Sequence, residues 1–80
     1  MITIKRLNQI IEEALELESG TIDNGIEDWQ SSWDSLGHLS ILVNLDKELD
    51  GRCSNIADLS GATNIDLLKK ILSKHNLLKS

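Results

Sequence analysis

Ser35 is the residue best placed to do chemistry in this sequence of 80 residues. It stands between Asp34 and Leu36, where an irregular segment gives way to apolar residues at helical spacing. A serine there lies in the first turn of a helix, where backbone N–H groups lack partners and the helix dipole favours negative charge. A phosphodiester formed on this hydroxyl would be stabilised by both effects. The structural alternative is that Ser35 serves only as the N-cap of the helix.

The remaining reactive side chains indicate no catalytic site. His38 follows Ser35 by one turn and is expected to be solvated or partly packed, while His75 is expected near the C-terminus of a helix. Cys53 is the only cysteine, so it forms neither an internal disulfide nor a multi-cysteine zinc site. No nucleophile–base pair, glycine-rich phosphate loop or set of metal ligands is evident, which predicts that the chain is not an enzyme and binds no metal.

Hydrophobic periodicity predicts an all-α fold in a single domain covering residues 1–80. Three longer helices are expected over residues 3–17, 35–49 and 64–75, and a short one over residues 55–59. Thr3 and Asn64 are the predicted N-caps of the first and last helices. No alternating stretch of useful length predicts a strand, and residues 76–80 are expected to fray.

A long loop over residues 20–34 separates the first two helices. It is rich in turn formers but carries Ile22, Ile26, Trp29 and Trp33, which are expected to hold it on the core. Trp29 is predicted to be a core anchor, whereas Trp33 either anchors the loop or borders Ser35. A loop of this length in a small domain is often functional.

The helix over residues 35–49 is apolar on nearly every side. Leu36 is expected to anchor its first turn in the core, with Leu39 and Val43 on the same buried face. Ile41 and Leu45 widen that face. Such a helix is either central to the fold or presents apolar surface to a partner.

The charge distribution favours a protein partner over a nucleic acid or a membrane. The net charge is −5, and the chain has two Trp but no Phe or Tyr, which argues against binding to a phosphate backbone or to stacked bases. Acidic residues between positions 12 and 34 are interrupted by no basic one, a pattern that suits basic partners. No apolar run reaches about 18 residues and no signal peptide is evident, so we expect a cytoplasmic protein.

Residues 33–39, Trp-Asp-Ser-Leu-Gly-His-Leu, carry a resemblance to a known family. Asp34, Ser35 and Leu36 match the Asp-Ser-Leu signature of acyl carrier proteins. Apolar residues also fall where that family has those of its second helix: Leu39, Leu42, Val43, Leu45 and Leu49. The chain thus resembles acyl carrier proteins over most of its length, and especially the stand-alone carriers of specialised pathways.

The resemblance implies a fold and a mode of action. The fold would be an acyl-carrier-like bundle of three longer helices and one short helix, with the long loop between the first two. A phosphopantetheinyl transferase would attach 4′-phosphopantetheine from coenzyme A to Ser35, flanked by Asp34 and Leu36. The chain would then hold acyl or aminoacyl groups as thioesters and, as a monomer, deliver them to an acyl-activating ligase or acyltransferase.

Departures from the family pattern bear on the partners. Carriers of fatty acid biosynthesis usually have acidic residues where this chain has Gly37 and Ser40, which points to a specialised lipid, polyketide or related pathway. Partner contacts are expected at Trp33, Gly37, His38, Ser40 and Ile41. Ser40 is also a minor alternative as the modified residue. The alternative for the whole chain is an unmodified helical module that binds a protein through the second helix.

Overall fold

The fold consists mainly of helices, with one pair of very short strands. The computed structural model describes residues 2–25 and 28–79, with only the backbone described at 54 and 55. The regular elements are β1 (Ile2–Thr3), α1 (Ile4–Ala14), α2 (Ser35–Glu48), α3 (Ile65–Lys74) and β2 (Leu78–Lys79). Three 3-10 turns lie between the helices, at Asp28–Ser32, Arg52–Asn55 and Ala57–Gly61.

Helices α1 and α3 have the N-caps that the sequence predicts. Thr3 Oγ1 accepts a hydrogen bond from the Arg6 amide at 3.1 Å, and Asn64 Oδ1 accepts one from the Leu67 amide at 2.9 Å. Helix α1 ends at Ala14 rather than residue 17, because Glu16 takes a left-handed conformation with φ of 58°. Each of the two helices buries one apolar side, which supplies much of the core: Leu7, Ile10, Ile11, Leu68 and Leu72.

The two ends of the chain are held together. Strands β1 and β2 pair in parallel, and the Ile2 amide donates a hydrogen bond to the Leu77 carbonyl at 2.9 Å. The side chains of Leu77 and Leu78 are buried in the core. The expectations of a frayed tail and of a fold without strands are therefore wrong, because burial of these two leucines brings the tail beside residue 2.

The short helix expected over residues 55–59 is replaced by the last two 3-10 turns. Ile56 lies between them in an extended conformation, with φ of −106° and ψ of 92°, which prevents one continuous helix. Cys53, Leu59 and Ala62 are nevertheless buried and fix this segment on the core.

The long loop is attached to buried polar groups of α1. The Asn8 side-chain amide donates a hydrogen bond to Asp23 Oδ1 at 2.9 Å, and Glu12 Oε2 accepts one from the Ile22 amide at 3.0 Å. Trp29 is buried, as predicted. Ile26, which was expected to help hold the loop, lies outside the described residues.

Helix α2 is oriented differently from the prediction. Its buried side carries Gly37, Ile41 and Leu45, which recur every four residues. Leu36, Leu39 and Val43 were expected in the core but are 76%, 58% and 45% exposed. The reason is that a helix apolar on nearly every side can bury any of several stripes. The stripe chosen includes the glycine that lets α1 approach.

Candidate functional site at the start of helix α2

Asp34, not Ser35, is the N-cap of α2. Its Oδ1 accepts a hydrogen bond from the Gly37 amide at 2.7 Å, while its backbone is extended. The Asp34 carbonyl accepts the His38 amide at 2.8 Å and so begins the helical hydrogen-bond series. The structural alternative for Ser35, that its hydroxyl serves as the cap, is therefore excluded.

Ser35 is exposed at the first position of α2. Among residues 2–25 and 28–79, the Ser35 hydroxyl has no hydrogen-bond partner. The backbone N–H groups of Ser35 and Leu36 likewise donate to no acceptor among these residues. These amides are among the orphan donors that every α-helix leaves at its N-terminus. A phosphoryl group on Ser35 would lie beside them at the positive end of the helix dipole. The residues present therefore fit a phosphodiester on this hydroxyl.

His38 links two segments of the chain at this end of α2. Its Nδ1 accepts a hydrogen bond from the Trp33 indole Nε1–H at 3.1 Å, and its Nε2 lies 3.0 Å from the Leu59 carbonyl oxygen. The Trp33 and His38 rings are stacked with centroids 6.1 Å apart, and the Trp29 ring lies 6.2 Å from that of Trp33. Trp33 and His38 are both half-buried. Trp33 packs against the core and also lines the same surface cavity as Ser35.

A cavity of about 400 Å³ with a largely apolar lining lies between α2 and the last two 3-10 turns. Leu42 and Val43 line it from α2, and Ile56 and Leu59 line it from the opposite side. Cys53 also lines it, and burial, assisted by the negative charge of Asp46, raises the pKa of the Cys53 thiol. A raised pKa lowers the fraction of the thiol that is present as the reactive thiolate at a given pH.

Gly37 permits close packing against the first turn of α2. A Cβ atom at this position would lie 2.5 Å from Leu15 Cδ2 and 3.1 Å from the Ser32 carbonyl oxygen. Any larger residue here would push away the end of α1 or the loop before Asp34. The glycine thus has a packing role that its sequence neighbours do not reveal.

The expected partner residues fall into two groups. Ile41 is fully buried and Gly37 is buried, so neither presents a side chain to a partner, and we remove both from the partner surface. Ser40 is exposed, and Trp33 and His38 are partly accessible. In their place the structure exposes an apolar stripe on α2, formed by Leu36, Leu39 and Val43, which the sequence placed in the core.

Acidic side chains flank this apolar stripe. Glu13 and Glu16, at the end of α1, line a surface depression together with Leu39, Ser40 and Val43. Glu13 in the last turn of α1 and Glu16 just after it therefore place negative charge beside the stripe. A basic and apolar surface would complement it.

In the part of the chain that the structure describes, no three His, Cys, Asp or Glu side chains are grouped so as to hold a metal ion. Across the same residues, no helix has the length and apolar character needed to cross a membrane.

Comparison with known proteins leaves the family open. No family model, no curated protein and no solved structure matches this chain.

Proposed function

We propose that this chain is an acyl carrier protein that carries its cargo on a 4′-phosphopantetheine arm attached to Ser35. The observation that carries the proposal is the division of roles at the start of α2. Asp34 caps the helix through Gly37, and the exposed Ser35 hydroxyl has no partner among the described residues. A serine at position 35 could otherwise be explained as the helix cap, but Asp34 fills that role.

Attachment of the arm is a phosphoryl transfer to Ser35. The Ser35 oxygen attacks the phosphorus of coenzyme A that bears the pantetheine, the pyrophosphate bond breaks, and adenosine 3′,5′-bisphosphate leaves. The hydroxyl proton passes to a base of the phosphopantetheinyl transferase, with which Mg²⁺ acts. The unoccupied amides of Ser35 and Leu36 are the groups of this chain that stabilise the product.

The arm supplies a terminal thiol that forms thioesters, which are activated for acyl transfer. This chain provides no catalytic group in the proposal; its residues hold the attachment point and present it to other enzymes. A cavity of about 370 Å³ beside Ser35 provides room for the arm to lie along the surface, and its lining includes Trp33, His38 and Thr63.

The apolar stripe of Leu36, Leu39 and Val43 is the proposed docking surface for those enzymes. It runs from the residue after Ser35 along α2, so a partner seated on it also reaches the attachment point. Glu13 and Glu16 beside it favour partners with basic surfaces. These partners would be the phosphopantetheinyl transferase and an acyl-activating ligase or acyltransferase of a specialised lipid, polyketide or aminoacyl pathway. We propose that the chain meets them as a monomer in the cytoplasm.

The same exposed stripe favours a second candidate, an unmodified helical module that binds a protein. The two candidates differ in the fate of Ser35, because only a carrier is a substrate of a phosphopantetheinyl transferase. The test is incubation with coenzyme A, Mg²⁺ and a broad-specificity transferase, followed by intact-mass measurement. Ser35→Ala is the negative variant. Ser40→Ala, which alters another exposed serine of α2, is the matched control.

A further inference from the structure

Two cavities meet on one side of α2. The cavity beside Ser35 is lined by Trp33, Asp34, Ser35, His38, Ser60 and Thr63. The larger apolar cavity is lined by Leu42, Val43, Asp46, Cys53, Ile56, Ala57, Leu59 and Ser60. Ser60 lines both, so the 3-10 turn Ala57–Gly61 forms part of the boundary between them.

This turn is held to the core by Leu59 within it and by Ala62 directly after it. Leu59 is its one buried residue, whereas Ala57, Asp58, Ser60 and Gly61 are exposed. The Leu59 carbonyl accepts a hydrogen bond from the amide of Ala62, the residue after the turn, at 3.1 Å, and it also lies 3.0 Å from His38 Nε2 on α2. Because four of its five residues are exposed, the turn is the kind of segment that opens locally.

The hydrogen bond from Trp33 determines which nitrogen of the His38 ring carries the proton. The Trp33 indole nitrogen is a donor only, so Nδ1, at 3.1 Å from it, must act as an acceptor. We therefore assign the neutral tautomer with the proton on Nε2, which then donates to the Leu59 carbonyl. Trp33 thus orients the ring, and His38 holds the turn.

We propose that His38 is a latch between the two cavities, and that release of its hydrogen bond to Leu59 opens the apolar cavity toward Ser35. The latch is a property of the unmodified chain. His38 is a positioning residue in this account and takes no part in bond making.

Two conservative variants of His38 each keep one of its two side-chain hydrogen bonds and remove the other. An Asn amide at position 38 reaches the place of Nδ1, so His38→Asn keeps an acceptor for Trp33 but loses the donor to Leu59. A Gln amide reaches the place of Nε2, so His38→Gln keeps the donor to Leu59 but loses the acceptor for Trp33. His75→Asn is the matched control, because His75 is exposed at the C-cap of α3.

The only cysteine of the chain reports on the opening, since Cys53 is buried in the lining of the apolar cavity. The measurement is the rate at which iodoacetamide alkylates it at one fixed pH and low urea. We expect His38→Asn to react about fivefold faster than wild type, the factor that corresponds to one hydrogen bond of about 1 kcal/mol. His38→Gln and His75→Asn should stay within about twofold of wild type. Equal rates in all variants, or a His38→Gln rate as high as that of His38→Asn, would overturn the latch.

Discussion

The Asp34 carboxylate accepts a hydrogen bond of 2.7 Å from the Gly37 amide, and this bond caps α2 across Ser35. Because the cap comes from the residue before it, Ser35 occupies the first helical position with its hydroxyl directed to no described partner. Asp34 thus stabilises the helix, and the adjacent Ser35 remains available for modification.

The cap gives the first prediction. Asp34→Ala removes the acceptor for the Gly37 amide and should lower the free energy of unfolding by about 1 kcal/mol. Asp34→Asn retains an acceptor oxygen and should lose less than half of that, and Ser35→Ala should change stability little. Urea unfolding of the three variants measures this. A larger loss in Ser35→Ala than in Asp34→Ala would mean that the hydroxyl contributes to the helix after all.

Gly37 gives the second prediction. Alanine is the better helix former by about 1 kcal/mol, but here its Cβ would meet Leu15 Cδ2 at 2.5 Å. We expect Gly37→Ala to lower stability by about 1 kcal/mol. Much of this loss should disappear when it is measured in a Leu15→Ala background, because that change removes the obstructing methyl groups.

The matched control for this prediction is Gly61→Ala. A Cβ at Gly61 would have no atom within 4 Å, so the substitution should be neutral or slightly stabilising. If Gly37→Ala were as stable as wild type, the close packing of α1 on the first turn of α2 would not limit position 37.

The apolar stripe gives the third prediction. Leu36→Asn and Leu39→Asn change exposed side chains and should alter the free energy of unfolding by less than about 0.5 kcal/mol. Both should raise the KM of a phosphopantetheinyl transferase for the chain severalfold, because they remove apolar contact beside Ser35. Leu67→Asn changes an equally large exposed residue on α3 and should leave the KM unchanged. An effect of the same size in all three variants would contradict docking on the stripe.

The Cys53 thiol gives the fourth prediction. Its pKa is raised in the folded protein by burial and by Asp46, so the folded state disfavours the thiolate. The contribution to stability is therefore complete below the pKa of the unfolded chain, about 8.5, and is lost as the pH rises through the folded value. Wild type should lose stability relative to Cys53→Ala as the pH rises above the pKa of the thiol in the unfolded chain. Parallel stability curves of the two proteins from pH 7 to 10 would contradict the raised pKa.

The sequence predicts helices well where one stripe is apolar and the opposite side is polar. The stripes of α1 and α3 and the caps at Thr3 and Asn64 follow from such patterns, and the structure confirms them. The burial of Trp29 was also predicted correctly, because a large apolar side chain in a polar loop is stabilised by packing on the core.

The errors arise where local pattern carries little information. Helix α2 is apolar on nearly every side, so its buried stripe depends on which side α1 can approach, and the unsubstituted Gly37 decides that. Strands of two residues, such as β2, show no periodicity at all. The hydrogen bond from His38 to Leu59 joins residues 21 positions apart, and no spacing rule reveals such a contact.

The central claim is that Ser35 carries phosphopantetheine, and intact-mass measurement after reaction with coenzyme A, Mg²⁺ and a broad-specificity transferase tests it most directly. We predict that wild type and Ser40→Ala each gain the mass of one phosphopantetheine group, and that Ser35→Ala gains none. Wild type that remains unmodified by several such transferases, while folded by circular dichroism, would contradict the claim and leave the unmodified interaction module as the function of the chain.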